Sequence, residues 1–161
     1  MDVRVLVLDP GETFGVANFR FLTGPKIELL EAYQVSVPIK KSKQVNWAHF
    51  GIWLEELYAS AQPKLLVSED FVLYGTRAMS QVGSRMLTSE LLAVSEFVAT
   101  TRGIKTVRIS ASLKGRWPKA RLRTKFPQYF GLPQPHAADA CLLGLAYYEM
   151  YLRSKGLECH F

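Results

Sequence analysis

Residues 3–19, "VRVLVLDPGETFGVANF", decide how the rest of the chain is read. Val3, Val5, Leu6, Val7 and Leu8 form a nearly unbroken apolar run that stops at Asp9, Pro10 and Gly11. A short continuous run of this kind suits a strand covered on both faces, and the Pro-Gly pair suits a tight turn after it. The following "FGVANFRFL" (14–22) alternates well enough to be the hairpin partner of that strand. The position needing explanation is Asp9, a carboxylate closing a buried strand. It is either a turn-former, since Asp readily makes an Asx turn, or a ligand.

Outward from this hairpin, "KIELLEAYQVSV" (26–37) follows the Gly24-Pro25 breaker and reads as a third strand, with a helix as the competing reading. Residues 42–61 carry Val45, His49, Ile52, Leu54 and Leu57 near helical spacing, and Pro63 closes that helix. "KLLVSE" (64–69) is a second apolar run ending in an acid, Glu69. A long helix is expected over about 77–102, with Val82, Met86, Val94 and Phe97 inward and a second stripe of Leu87, Leu91 and Val98 for a further partner such as a second subunit. "IKTVRI" (104–109) is the fifth strand, a basic segment with a short helix follows, and a closing helix covers 133–156, ended by Gly156. Three strands, helix, strand, helix, strand and final helices imply an α/β fold with a mixed five-stranded sheet flanked by helices.

The chain has 161 residues, 48% of them apolar, which suits a single domain over 1–161. No apolar run is long enough to span a bilayer, and the first residues lack the marks of a targeting peptide, so no membrane association and a cytoplasmic location are expected, in a bacterium or in the host of a virus. Cys141 and Cys159 form no C-x-x-C pair, which argues against a disulfide scaffold or a zinc site. The formal net charge is +6, and the excess is concentrated. No Asp or Glu occurs from Phe97 to Ala138, whereas Arg102, Lys105, Arg108, Lys114, Arg116, Lys119, Arg121, Arg123 and Lys125 all do. A solvated face usually mixes both signs, so this block points to a polyanion.

Neighbouring strands of an α/β sheet end at a common edge, so Asp9 and Glu69 could share a site there. The helix beginning near Pro135 adds His136 and Asp139, three residues apart and on one face of its first turn. Carboxylates gathered this closely repel by an energy on the order of kcal/mol unless a cation neutralises them, and oxygen donors favour Mg²⁺ or Mn²⁺ over zinc. Phosphodiester hydrolysis uses such a site: two cations about 4 Å apart activate water and stabilise the leaving oxygen. His136 could ligate or deprotonate the water. Each residue has another reading: Asp9 as a turn residue, Glu69 as the partner of a Lys with Asp70 the true ligand, and Asp139 as a helix-dipole group.

With these residues in this order, the chain resembles the RuvC family of Holliday junction resolvases, of the ribonuclease-H-like superfamily. "LVLDPGETFGVA" (6–17) resembles the family's first acidic strand, "LLVSED" (65–70) its second, and "PHAADACLLGLAYY" (135–148) its closing helix. "TVRISASLKGRWPKARL" (106–122) can be laid on its basic segment, with Arg108 and Lys119 where the family carries lysines for the DNA backbone. The resemblance implies Asp9, Glu69, His136 and Asp139 as catalytic residues and metal ligands for two Mg²⁺ ions, Mn²⁺ substituting. It also implies a homodimer that nicks opposite strands of a four-way junction and leaves 5′-phosphate and 3′-hydroxyl ends. Arg77, Arg108, Lys114, Arg116 and Lys119 are the candidate phosphate contacts, with Arg85 near them. Val72 stands where the family has an aromatic, so Phe71 and Tyr74 are the candidates for opening the DNA. That departure keeps in play a nuclease of the same fold cutting flaps or forks. A second rival is a DNA-binding module that kept the fold and lost the reaction, against which the four competent ligand positions speak. A hydrolase or kinase of the wider superfamily, for which the phosphate loops are lacking, ranks last.

Overall fold

A computed structural model describes residues 2–38, 44–70, 78–114, 119–127 and 134–157, with side chains for all of these except 78–86, 111, 114, 119, 121 and 123. Strands β1 (Val3–Asp9), β2 (Thr13–Phe21) and β3 (Ile27–Ser36) are followed by α1 (Trp47–Ala61), β4 (Leu65–Asp70), α2 (Ala78–Thr101) and β5 (Lys105–Ser110). Two short helices, α3 (Ala111–Lys114) and α4 (Lys119–Lys125), lead to α5 (Pro135–Ser154). The five strands make one mixed sheet in the order β3-β2-β1-β4-β5. β1 pairs antiparallel with β2 and parallel with β4; β2 and β3 are antiparallel, and β4 and β5 parallel. The α/β class with a mixed five-stranded sheet is therefore as the sequence led one to expect.

β1 is apolar and buried from Val5 to Leu8 because it is central and covered on both faces. Val5 and Val7 join Phe19, Val67 and Ile109 in one core under α5 and α4, with Cys141, Leu145 and Tyr148 from α5, Leu122 from α4 and Phe126 just after it. Leu6 and Leu8 join Leu66 in a second core under α1 and α2, with Phe50, Leu54, Tyr58, Leu91 and Ala99. The result is three layers, with helices on both sides of the sheet. Among the described residues no helix is long and apolar enough to cross a membrane.

Two helices turn a different face inward from the one their spacing suggested. α1 starts at Trp47, where the Asn46 side chain accepts from the His49 amide, and it buries Phe50, Leu54, Leu57, Tyr58 and Ala61. Ile52 is 57% exposed and His49 is exposed, because Phe50 and its partners Phe14 and Trp53, at 5.5 and 5.6 Å, set the rotation of the helix. In α2 it is the stripe of Leu87, Leu91 and Val98 that packs on the core, with Val94 beside it. Phe97, expected inward, is 68% exposed. The Tyr58 hydroxyl donates to the Ser95 carbonyl at 2.8 Å and holds the Leu91–Ser95 side against α1, and a residue two positions on points the opposite way. Val82 and Met86 lie outside the described side chains.

α5 begins with Pro135 in its first turn, where a missing N–H costs nothing. It ends in a Schellman arrangement: Gly156, at φ +68°, donates to Arg153 O at 3.1 Å and Leu157 donates to Leu152 O at 3.0 Å. The left-handed backbone at that position is what Gly156 supplies.

Candidate active site

The apolar run of β1 ends on a carboxylate because strand periodicity carries Asp9 onto the α5 side of the sheet. Side chains alternate, so Asp9 follows Val5 and Val7, and Glu69 follows Val67. Leu8 pairs with Ser68 in the parallel β1–β4 ladder, which sets Asp9 and Glu69 side by side at the strand ends, on backbones about 4.8 Å apart. Asp9 is 7% exposed and Glu69 6%. Burying two carboxylates this near each other is costly without compensating charge or hydrogen bonds.

The first turn of α5 lies over this edge. His136 Nδ1 is 3.7 Å from Asp9 Oδ2. Asp139, three residues along the same helix face and half-buried, has its Cβ about 5–6 Å from that of His136. Asp9 and His136 thus meet directly, Glu69 lies beside Asp9, and Asp139 lies one turn from His136. No group of three or more His, Cys, Asp or Glu side chains is drawn to metal-holding distance among the described residues. The donor set still fits a hard divalent cation: three carboxylates and one imidazole, two of the carboxylates buried, at one open edge.

Two neighbours support this turn, the glycine that follows Asp-Pro-Gly in the first motif and a residue of β3. Gly15 pairs with Asp9 across the hairpin, and Gln34 pairs with Gly15 from β3. The Gln34 Oε1 accepts from the His136 backbone N–H at 3.4 Å. Gly15 is marked in the sequence by its place after Asp9-Pro10-Gly11, whereas no local signal marks Gln34.

The candidate DNA contacts divide by position. Arg108 pairs with Ser68 in the β4–β5 ladder and so faces α2, on the opposite side of the sheet from the carboxylates. Its guanidinium donates to Glu96 through Nε at 2.8 Å and through the terminal nitrogen at 2.6 Å, and Ser68 Oγ donates to the same carboxylate at 3.3 Å. This hydrogen bonding to Glu96 raises the guanidinium above its usual pKa, and the side chain remains 47% exposed. Lys114 ends α3 and Lys119 begins α4, and the side chains of both lie outside the described set, as does that of Arg85. Phe71, Tyr74, Arg77 and Arg116 lie outside the described residues. An open cleft of about 820 Å³ occurs at the other end of the strands, lined by Arg4, Arg20, Lys64 and Arg102. Arg20 is paired there with Glu28 and Arg102 with Glu55.

By sequence, no protein-family model and no curated protein matches the chain. By structure, it is similar to Thermus thermophilus RuvC in complex with a Holliday junction substrate, at a TM-score of 0.72 and 14% identity over 93% of this chain and 96% of that one. It is also similar to the yeast mitochondrial Holliday junction resolvase, with a TM-score of 0.68, 12% identity, and 96% and 81% of the two chains covered. The fowlpox virus resolvase bound to Holliday junction DNA gives 0.60 and 12%, with 92% and 99% covered. The edge that carries Asp9, Glu69 and His136 belongs to a sheet of known topology, and the chain has the ribonuclease-H-like fold that RuvC and these other Holliday junction resolvases share.

Proposed function

We propose that this protein is a metal-dependent, structure-selective DNA endonuclease that resolves four-way junctions by paired symmetric nicks, leaving 5′-phosphate and 3′-hydroxyl ends. A fold alone does not assign a reaction, so the weight falls on the site. The observation that carries the reading is the contact of His136 with buried Asp9, with buried Glu69 on the adjacent strand, at the open edge of a RuvC-like sheet.

Asp9, Glu69 and Asp139 would hold two Mg²⁺ ions, or Mn²⁺ in their place. Such ions, when bound, lower the pKa of water and spread the charge developing on the phosphoryl oxygens. Buried Asp9 and Glu69 give that chemistry a fixed, poorly hydrated wall. His136 turns Nδ1 toward Asp9, which leaves Nε2 to take the proton of the attacking water. The water oxygen bonds to phosphorus as the bond to the 3′ oxygen breaks, and a proton from solvent completes the hydroxyl. Two opposed nicks need two sites, so the active species is a homodimer, and exposed Phe97 on α2 offers an apolar contact for the second copy. The acid-free segment 97–138 supplies phosphate contacts from Lys114, Arg116 and Lys119, joined by Arg77 and Arg108, while Phe71 and Tyr74 remain the groups to open the junction.

The test is incubation of a synthetic four-way junction with the protein and Mg²⁺, Mn²⁺ or EDTA, with a flap substrate alongside. Paired, symmetric, metal-dependent cuts with ligatable ends are expected in the junction, faster than in the flap. Binding without cleavage under every metal condition would identify an inactive module, and preference for the flap would reassign the substrate.

A further inference from the structure

The first turn of α5 is held by two residues of the antiparallel strands. Its own N-cap residue, Gln134, makes no side-chain cap, and Pro135 has no N–H to offer. His136 N–H is therefore the first donor of the helix needing an acceptor from outside, and it finds Gln34 Oε1 on β3, 102 residues away in sequence. Beside Gln34 on the same cross-strand row, Gly15 lets the helix descend onto the sheet. A Cβ at Gly15 would lie 1.9 Å from the His136 carbonyl oxygen, 2.5 Å from its carbonyl carbon and 3.2 Å from Ala137 N. These are backbone atoms that no rotamer change can move aside. The next residue of the row is Asp9.

We infer that Gln34 and Gly15 are positioning residues: together they form a seat that sets the height and rotation of the first α5 turn, and so the placement of His136 and Asp139 against Asp9 and Glu69. The inference rests on the proposed function for its catalytic consequence, and on the packing alone for the seat. Relieving the Gly15 clash requires the helix to rise by roughly 1–1.5 Å, and a misplacement of about 1 Å in a catalytic group can cost on the order of 10²-fold in rate. Loss of the Gln34 acceptor removes one net hydrogen bond, close to a factor of ten in the local opening equilibrium.

The test compares wild type with Gln34→Leu, Gln34→Glu and Gly15→Ala by three measurements: amide hydrogen exchange across α5, Mn²⁺ affinity of the DNA-free protein by calorimetry, and single-turnover nicking of a four-way junction. In Gln34→Leu the His136 amide is expected to exchange about tenfold faster while Cys141–Leu152 keeps its protection. Mn²⁺ binding weakens several-fold, and nicking slows about tenfold at unchanged junction affinity. Gln34→Glu retains the acceptor and restores the protection of the His136 amide. Gly15→Ala lowers the nicking rate about 10²-fold at unchanged junction affinity. A merely structural bond would lower Tm and speed exchange of the His136 amide, yet leave the Mn²⁺ affinity and the rate per folded molecule as in wild type. Unaltered His136 exchange in Gln34→Leu, or wild-type Mn²⁺ affinity and nicking rates in both loss variants, overturns the inference. If wild type nicks nothing while the exchange follows the expected pattern, the proposed function fails and the seat stands.

Discussion

Asp9 shows how much one residue's meaning depends on its surroundings. In isolation it is a turn residue before Pro10-Gly11; at the end of β1 it is a buried carboxylate facing the imidazole of His136. Asp9→Asn keeps the shape and removes the charge, so junction binding in EDTA is expected to persist while Mg²⁺-dependent nicking drops by at least about 10³-fold, as followed on a denaturing gel. Arg108 has a similar ambiguity. Its fork is held by Glu96, so any phosphate contact must compete with that pair. Glu96→Gln should therefore tighten junction binding by a few-fold at low salt, with no such gain in an Arg108→Ala background. Equal gains in both backgrounds would show that Arg108 takes no part.

At the scale of elements, local periodicity identified the helices and strands, and contacts between elements chose their faces. Both apolar stripes of α2 are visible in the sequence, but only the Tyr58–Ser95 bond and the α1 packing decide that Leu91 goes in and Phe97 goes out. In the homodimer proposed above, the exposed phenyl ring of Phe97 is the expected anchor. The wild type is then expected to scatter light as a dimer at micromolar concentration and Phe97→Glu as a monomer, with the thermal midpoint of the isolated chain little changed; a monomeric wild type would remove the proposed homodimer. A variant that remains dimeric would move the interface elsewhere.

For the whole molecule, two cores share one sheet, and the core beneath α5 sets an alkaline limit on stability. Burial pushes the Cys141 thiol up to about 12 from an ordinary 9.0, and burial also raises Tyr58, Tyr33 and Tyr147. Between these pH values the unfolded chain releases a proton that the folded chain keeps. The contribution of this thiol to stability is therefore constant below about pH 9 and is lost as pH rises from there toward 12. Denaturant titrations at pH 8, 9.5 and 10.5 should show this decline, and Cys141→Ala should make it shallower. An unchanged slope in that variant would assign the alkaline loss to the tyrosines.

The sequence by itself determined the strand order along the chain, the α/β class, the acids closing β1 and β4, and the pairing of His136 with Asp139 on the last helix. All of these are local facts, readable from a period of two or of 3.6 residues and from the turn residues between runs. Tertiary structure alone decided which stripe of α2 faces the core, that Arg108 of β5 is held by Glu96 of α2, and that Gln34 and Gly15 carry the first turn of α5. Each of these depends on the register between segments distant in sequence, and a side chain's partner across a sheet is fixed by backbone pairing that no short window contains.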